Sequence, residues 1–379
     1  MGLTRVPVTD VTKKNINEFL PTIIMAIRKG SFLGMDCELS GLGNRKKLND
    51  PLMEQRYSYA STVVKTRSLL ALGLSVFRKL EGDIDNYAVS TFNLTTLCTQ
   101  DYIVEPESLK FLVEHHFDFN KQYSLGIPYT HGDDPSDASK EVLRFLFEEI
   151  VRSKIPIVLH NGFLDLMFLY QSLYARLPVD FQSFIADINE MFPGGIYDTK
   201  YISEYVLRVP STYLSFLFAK CALDNSRNCY LEKLELKDYP CQDDISVDLT
   251  GVAMDKSICS SYSNHGHCPN KSTCKDSHDV VAIVRSRYSQ HRQPDEAVQS
   301  KKRKLDDDKS SIGHRAGFDA FMTAYTLVSN LSRLKMDNVV NRIYLVAKEY
   351  PLLVQKSSFA KNSQSHYFKR QKILKRDES

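Results

Sequence analysis

Two acidic residues, Asp36 and Glu38, lie one residue apart within an otherwise apolar segment, FLGMDCEL. The segment predicts a short buried strand, on which side chains at positions i and i+2 point to the same side. Two like charges on a buried strand repel each other unless a cation lies between them. A hard divalent ion such as Mg²⁺ or Mn²⁺ suits that position. On this pattern alone, the alternative stays open that one carboxylate caps a turn and the other faces water.

Two further segments place acidic residues at the start of apolar helices. Asp165 follows a predicted strand in HNGFLDLMFLY and lies on the first turn of a helix that is otherwise apolar. His314 and Asp319 are five residues apart in HRAGFDAF, which is about one and a half helical turns. Simpler roles are open to both, because a carboxylate favours the N-terminal end of a helix dipole and a histidine can cap a helix.

Predicted strands and helices alternate along the chain, which favours an α/β sandwich around a mixed sheet. The first element that the pattern predicts is a helix over residues 17–29. From about residue 237 the chain becomes polar and loses hydrophobic periodicity, which indicates an insertion into the domain. The predicted parts are residues 1–236 and 313–354 for the main domain, 237–312 for the insertion and 355–379 for a basic C-terminal tail.

The acidic and histidine motifs occur in the order D-x-E, N-x-x-x-D and H-x-x-x-x-D. This ordered set resembles the signature of the DEDD exonuclease superfamily, in its His-bearing subclass. LSGLGN after the first pair, residues 57–77, FDFN, HNGFLD and IYDTK are similar to the CAF-one/PARN branch of 3′ exoribonucleases, the deadenylases. The resemblance implies an RNase H-like (DnaQ-type) fold with a mixed central sheet flanked by helices.

The same resemblance implies a chemistry for the motif residues. Two Mg²⁺ or Mn²⁺ ions would be held by Asp36, Glu38, Asp165 and Asp319, and His314 would be the general base. The implied reaction releases nucleoside 5′-monophosphates from adenylated 3′ ends of single-stranded RNA, including small non-coding RNAs. Two alternatives of other kinds remain: a catalytically weak RNA-binding adaptor, and a DNA exonuclease.

A second set of candidate ligands lies inside the predicted insertion, within residues 253–281. Three thiols and one imidazole with the spacing C-x8-C-x5-C-x3-H match the ligands of a closed, structural zinc site. These residues are Cys259, Cys268, Cys274 and His278. The spacing is similar to that of CCCH zinc fingers, which implies contact with single-stranded RNA. Tyr262 would stack on a base, and Lys271 and Lys275 would meet phosphates; a purely structural module is the alternative.

The net charge of +3 conceals an uneven distribution. Residues 285–304 and 355–379 each carry seven basic and two acidic side chains, so the remainder of the chain is acidic. Such basic segments commonly contact nucleic acid or are bound by import receptors. The first contains four adjacent basic residues that resemble a nuclear localisation signal, Lys301, Lys302, Arg303 and Lys304. We therefore expect a nuclear protein, although solvated segments without a partner are the alternative.

Two further features bear on the compartment. Eight cysteines in 379 residues are too sparse for a disulfide scaffold, and the first residues lack the apolar core of a signal peptide. No apolar run reaches the roughly 18 residues that a membrane span needs. The expectation is an intracellular chain with reduced thiols.

Overall fold

The apolar segments of the chain form the strands of one mixed sheet. The structure is a computed structural model that describes residues 3–82, 86–132, 142–228, 233–240, 242–249, 257–270, 273–289 and 315–375. Its strands are β1 (Arg5–Val11), β2 (Phe32–Leu39), β3 (Leu69–Lys79), β4 (Asn86–Cys98), β5 (Ile127–Tyr129), β6 (Ile157–Leu159), β7 (Ile196–Asp198), β8 (Lys233–Leu236), β9 (Gln242–Ser246), β10 (Arg342–Ile343) and β11 (Leu352–Leu353). The strand order is β11–β10–β7–β6–β2–β3–β4–β1–β9, with β5 and β8 both paired to β4.

Helices cover both faces of this sheet. They are α1 (Ile16–Lys29), α2 (Arg45–Leu48), α3 (Met53–Thr66), α4 (Pro106–Glu114), α5 (Phe119–Leu125), α6 (Val142–Ser153), α7 (Phe163–Leu169), α8 (Phe181–Met191), α9 (Thr199–Tyr201), α10 (Leu214–Asn228), α11 (Ser260–His265), α12 (Val280–Ser289), α13 (Ala316–Val328) and α14 (Gln364–Lys375). The largest core joins β2 and β3 to α1, α6, α7 and α8. A second core joins α10 and α13 to the sheet. The predicted α/β class with a mixed central sheet is confirmed.

The direction of the central strands brings three chain segments to one edge of the sheet. β2 is antiparallel to β3 but parallel to β6, and β6 is parallel to β7. Parallel neighbours end at the same edge, so the residues that follow β2, β6 and β7 lie next to one another there. Asp165 lies just after β6, on the first turn of α7.

Helix α13 lies unusually close to the sheet, and all thirteen of its residues are buried. Two strand glycines make this approach possible. A Cβ atom at Gly34 would lie 2.3 Å from the carbonyl oxygen of Ala320, and one at Gly73 would lie 1.8 Å from that of Ala316. Because any larger residue would collide with the helix backbone, β2 and β3 hold α13 at a fixed height above them.

The structure corrects the predicted start of the fold. The chain begins with the strand β1, which pairs in parallel with β4 and antiparallel with β9, and α1 comes second. The α-helix that carries Asp165 ends at Leu169, and the chain continues as a π-helix over Tyr170–Tyr174. Within the described ranges, no helix is both long and apolar enough to cross a membrane.

The C-terminal segment is packed onto the domain over the residues that the structure describes. α14 buries Ile373 in the main core, and the ring of His366 accepts or donates a hydrogen bond with the Tyr174 hydroxyl at 2.9 Å. Lys369 forms a nearly buried ion pair with Glu148 at 2.8 Å. Lys356 and Arg370 both pair with Glu190. The expected basic tail is thus in part a docked helix whose charges are balanced by acidic residues of the body.

Candidate active site

Three of the predicted carboxylates meet at the sheet edge. Oxygen atoms of Asp36, Glu38 and Asp319 all lie within 4.8 Å of one another. Asp36 and Glu38 project from β2 on the side that faces α13, while the residues between and beside them pack into the opposite core. Asp319 lies in the first turn of α13. The alternation of the strand and the close approach of the helix therefore build this cluster.

The start of α13 is anchored by polar groups of the sheet. Arg315 donates hydrogen bonds to Asp10 on β1 at 2.8 Å and to Asp243 on β9 at 2.9 Å. Asn93 on β4 donates to Asp10 at 3.1 Å and accepts from the backbone N–H of Gly317 at 3.1 Å. These contacts fix the helix one turn before Asp319.

Asp165 lies beside the three clustered carboxylates. It also lies near the thiol of Cys37, which packs on the core side of β2, and each of the two groups affects the pKa of the other. Burial raises the pKa of Asp165 to about 7, a change that the charge of Asp198 reinforces. The structure therefore places Asp165 next to the cluster, but the three oxygens that lie mutually within 4.8 Å come from the other residues.

The electrostatics of the cluster favour a cation. Burial raises the pKa of Asp36 well above its usual value, and repulsion from Asp319, Glu38 and Asp165 raises it further. The pKa of Glu38 is raised by burial and then by Asp319 and Asp165. Among the described ion pairs, none brings a lysine or arginine to Asp36, Glu38 or Asp165. Desolvated oxygen ligands without a basic partner fit a hard divalent ion.

The region that carries this cluster matches a known protein family. The family described as CAF1 family ribonuclease matches residues 11–144 and 138–327, a span that contains all four acidic residues. The chain belongs to the CAF1 ribonuclease family.

Curated relatives place the chain near the PARN-like members of the CAF1 family. It is 23% identical over 308 residues to the pre-piRNA 3′-exonuclease trimmer of Bombyx mori, covering 51% of this chain and 58% of that protein. It is 26% identical over 140 residues to the poly(A)-specific ribonuclease PARN of Danio rerio, covering 33% of this chain and 21% of the relative. The chain thus spans less than two thirds of the length of either relative. The predicted resemblance to the CAF-one/PARN branch is confirmed.

One solved structure also resembles this CAF1-family chain. The structure of S. pombe Pop2p in its Mg²⁺- and Mn²⁺-bound form matches with a TM-score of 0.43 and 18% identity, over 62% of this chain and 97% of that one.

One predicted catalytic residue lies outside the described residues, and one acidic residue at this sheet edge was not predicted. His314 lies outside the described residues, which resume at Arg315. Asp198, in contrast, is a buried acidic residue at this sheet edge to which the sequence reasoning gave no role. It ends the apolar strand β7 in the segment IYD, just as Asp165 follows β6. An acidic residue at the carboxyl end of a buried strand was the signal that could have identified it.

The predicted zinc ligands of this CAF1-family chain also meet. Ligand atoms of Cys259, Cys268, Cys274 and His278 lie within 4.8 Å of one another. The Nε2 atom of His278 is buried and has no protein hydrogen-bond partner, and burial lowers the pKa of its imidazole. The backbone N–H of Tyr262 points to the Cys259 sulfur and lowers the pKa of that thiol. A neutral imidazole and ionised thiols are the forms that bind zinc, so this donor set fits the ion.

The segment that carries these ligands is docked on the nuclease domain. α12 follows His278 and packs its apolar face on α10. Ser211 donates to the carbonyl of Ser263 at 2.7 Å, and the Arg287 guanidinium donates to the same carbonyl at 3.1 Å. A Cβ at Gly266 would lie 2.6 Å from the Tyr213 ring. The Cys₃His segment is therefore held against the domain rather than attached only by its ends.

The residues of this segment that were predicted to contact RNA have different environments in the structure. The ring of Tyr262 stacks on His278, with centroids 4.4 Å apart and an angle of 11°, and it meets the edge of Tyr213 at 6.0 Å. The ring therefore takes part in packing the ligand segment, and its stacking on a base stays a prediction. Lys275 is exposed, as a phosphate contact requires, whereas Lys271 and the basic run Lys301–Lys304 lie outside the described residues.

Proposed function

We propose that this protein is a Mg²⁺-dependent 3′→5′ exoribonuclease that shortens RNA 3′ ends. The observation that carries the proposal is the convergence of Asp36, Glu38 and Asp319 within 4.8 Å, inside the region that matches the CAF1 ribonucleases. The name of one relative, a 3′-exonuclease, supports attack at the 3′ end, and the name of another, a poly(A)-specific ribonuclease, supports an adenylated end as the preferred substrate.

Each residue of the site has a role in this proposal. Asp36, Glu38 and Asp319 would hold two divalent ions, with Asp165 as the fourth ligand residue. Ions bound there would supply the charge that polarises the scissile phosphate, activates the attacking water and stabilises the leaving 3′ oxygen. His314 takes the proton from that water, because histidine alone has an unperturbed pKa suited to this task near neutral pH. Hydrolysis without a covalent intermediate releases a nucleoside 5′-monophosphate.

The remaining predictions concern location and the second metal. Residues Lys301–Lys304 are proposed to bind a nuclear import receptor, so that the enzyme acts on nuclear RNA, small non-coding RNAs included. One zinc ion is proposed to bind the Cys₃His cluster, since its four donors converge and the imidazole nitrogen is buried without another partner. The docked position of this segment favours a structural contribution, and exposed Lys275 is the proposed RNA contact.

The proposal is tested by one assay on the full chain. The substrates are 5′-labelled RNA ending in A, RNA ending in U and DNA of the same sequence, each with Mg²⁺ or with EDTA. We expect stepwise shortening of RNA that requires Mg²⁺ and that is fastest on the 3′-A substrate. Asp36→Asn should abolish it, while Asp244→Asn, an exposed carboxylate on β9, should behave as wild type.

The other outcomes of this assay discriminate among the alternatives. Shortening that persists in Asp36→Asn would overturn the proposed metal site. Equal digestion of DNA would overturn the RNA assignment. Tight RNA binding without shortening, in wild type as well as in Asp36→Asn, would indicate the RNA-binding adaptor instead.

A further inference from the structure

We propose that Asp198 is a positioning residue of the candidate active site, which sets the turn that aims Asp165 at the clustered carboxylates. This inference rests on the proposed function of those carboxylates as ligands of divalent ions. Asp198 is fully buried, at 0% exposure, and ends β7 beside the end of β6.

The Asp198 carboxylate is surrounded by backbone donors. Its Oδ1 atom accepts from the N–H groups of Asn161 at 3.1 Å, Lys200 at 2.9 Å and Tyr201 at 3.1 Å, and its Oδ2 atom accepts from those of Gly162 at 3.2 Å and Tyr344 at 3.1 Å. An ionised carboxylate is an acceptor only, so it can satisfy all five donors at once. One side chain thereby ties together the turn after β6, the start of α9 and the strand end at β10.

Two of these donors belong to the turn that leads into α7. Asn161 adopts the left-handed conformation, with φ of 61°, which is uncommon for a residue with a side chain. The carbonyl of the next residue, Gly162, accepts the helical hydrogen bond from Leu166. Asp165 lies between these two ends of the first turn. Because Asp198 holds both Asn161 and Gly162, it fixes where the Asp165 carboxylate points.

Charge gives Asp198 a second effect on the same group. Its carboxylate repels that of Asp165 and adds to the burial that favours protonation there. A cation bound at Asp165 would interact favourably with both charges. The nearby charge of Lys200 interacts with that of Asp198, but its ammonium group forms its ion pair with Glu204, at 3.6 Å. Support of a ligand residue by hydrogen bonds and charge from the next layer commonly changes metal affinity about 10- to 100-fold.

The chain offers a matched control in Asp187. This aspartate is also 0% exposed, and it accepts hydrogen bonds from the Tyr170 hydroxyl, the Asn362 amide and the backbone N–H of Ser363. Its contacts hold the start of α14 rather than the turn before Asp165. Replacing either aspartate by asparagine removes a buried charge and opposes an N–H₂ group to backbone donors, so both changes should lower thermal stability.

The measurement is Mn²⁺ binding to the full chain, followed by electron paramagnetic resonance in the absence of RNA. We expect Asp198→Asn to bind Mn²⁺ about 10- to 100-fold more weakly than wild type, and Asp187→Asn to bind it with unchanged affinity. Wild-type affinity in Asp198→Asn would overturn the proposal. An equal loss in Asp187→Asn would also overturn it, because the effect would then follow general destabilisation.

A second pair of variants decides the question if Asp198→Asn does not fold. Asn161→Ala and Asn161→Gly both remove the exposed amide, but only alanine strains the left-handed turn. We expect about threefold or more weaker Mn²⁺ binding in Asn161→Ala than in Asn161→Gly, and equal affinities would overturn the role of the turn. Asp36→Asn distinguishes a failure of this proposal from a failure of the proposed function. Undiminished Mn²⁺ binding in that variant would refute the proposed metal site itself.

Discussion

Asp36 and Asp319 meet because α13 crosses the sheet at close range, whereas Cys259 and His278 meet because a short segment folds back on itself. The backbone N–H of Cys259 donates to Ser277 at 3.0 Å, and Ser277 in turn donates to Ser257 at 2.8 Å. The carboxylate cluster is thus assembled by the global fold, and the Cys₃His cluster by local contacts.

This difference predicts opposite couplings between metal and structure. Buried carboxylates that repel one another are an unfavourable feature of the metal-free fold, which the surrounding core must sustain. The Cys₃His segment has little apolar core of its own, so its folding should depend on the ion. Loss of the first metal should therefore remove activity but keep the fold, and loss of the second should loosen part of the structure first.

The largest expected effect is on catalysis by the carboxylate cluster. Asp36→Asn keeps the size of the side chain but removes one ligand charge, so turnover on 3′-A RNA should fall by about a thousandfold, or about 4 kcal/mol. The melting temperature without metal should not fall, because the substitution removes a charge that repels its neighbours. A variant that lost activity only in proportion to lost folded protein would contradict the distinction between the two clusters.

A smaller loss is expected when the global assembly is disturbed. Gly73→Ala places a Cβ 1.8 Å from the Ala316 carbonyl oxygen and must displace α13. We expect a destabilisation of about 2–3 kcal/mol and a loss of turnover of about 10- to 100-fold per folded molecule.

Gly126→Ala is the matched control for the Gly73 variant. Its Cβ would lie 2.5 Å from the Gln122 carbonyl oxygen, at the end of α5, where it does not touch α13. Denaturant unfolding and single-turnover assays should show lower stability with unchanged turnover per folded molecule. Equal loss of turnover in both variants would argue against a specific role of the α13 position.

Loss of the Cys₃His cluster should reduce turnover less than Asp36→Asn or Gly73→Ala does. Cys268→Ser should abolish bound zinc, measured by mass spectrometry of the metal, and lower the melting midpoint by several degrees because α12 loses its anchor. Turnover on short oligomers should fall less than about tenfold, since α10 lies between this segment and α13. Cys98→Ser removes a buried thiol outside the cluster and should leave the zinc content unchanged.

The RNA affinity of Cys268→Ser tests whether the Cys₃His segment contacts RNA. In Cys268→Ser, the affinity for long RNA is compared with turnover on short oligomers. A larger loss of affinity than of turnover would support an RNA contact by the segment, and Lys275→Ala should then show the same larger loss of affinity. Unchanged affinity would support a purely structural role. A loss of turnover as large as that of Asp36→Asn would contradict the proposed separation.

The last expected effect is on stability rather than on turnover, and it can be measured on the wild-type protein. The folded protein holds the pKa of Asp165 at about 7, above its usual 3.8, so the folded state binds more protons than the unfolded state between these values. Stability without metal should then fall as pH rises from about 4 to about 7. Melting curves in EDTA should show this slope, and Mg²⁺ or the variant Asp165→Asn should reduce it; a rising slope unaffected by either would contradict it.

The sequence was most informative where local pattern and tertiary environment agree. The strand over residues 32–39 was predicted with its observed bounds, because apolar residues flank and separate the two carboxylates. Strand β1 was missed, since Pro7, Thr9 and Asp10 weaken its pattern and its place is set by pairing with β4 and β9. Pairing between distant segments leaves no signal in either segment alone.

Contacts of single side chains were equally hidden from the sequence. The ring of Tyr262 lies on His278 and against the edge of Tyr213, contacts that its place in the C-x8-C-x5-C-x3-H spacing did not predict. The docked α14 was missed because its buried residues, His366 and Ile373, are separated by two polar turns that resemble a solvated tail. The role proposed for Asp198 depends on five backbone groups from three chain segments, which no spacing rule would have gathered.

The anchored start of α13 has a consequence for how this protein can vary. Arg315 is hydrogen-bonded to Asp10 and Asp243 before the helix begins. The position of Asp319 should therefore not depend on the length or composition of the sequence that joins α12 to α13. The part of that connection that precedes His314, the proposed general base, is therefore expected to tolerate changes in length and composition without loss of turnover. For the same reason, it is a suitable place to insert a reporter or a cleavable tag.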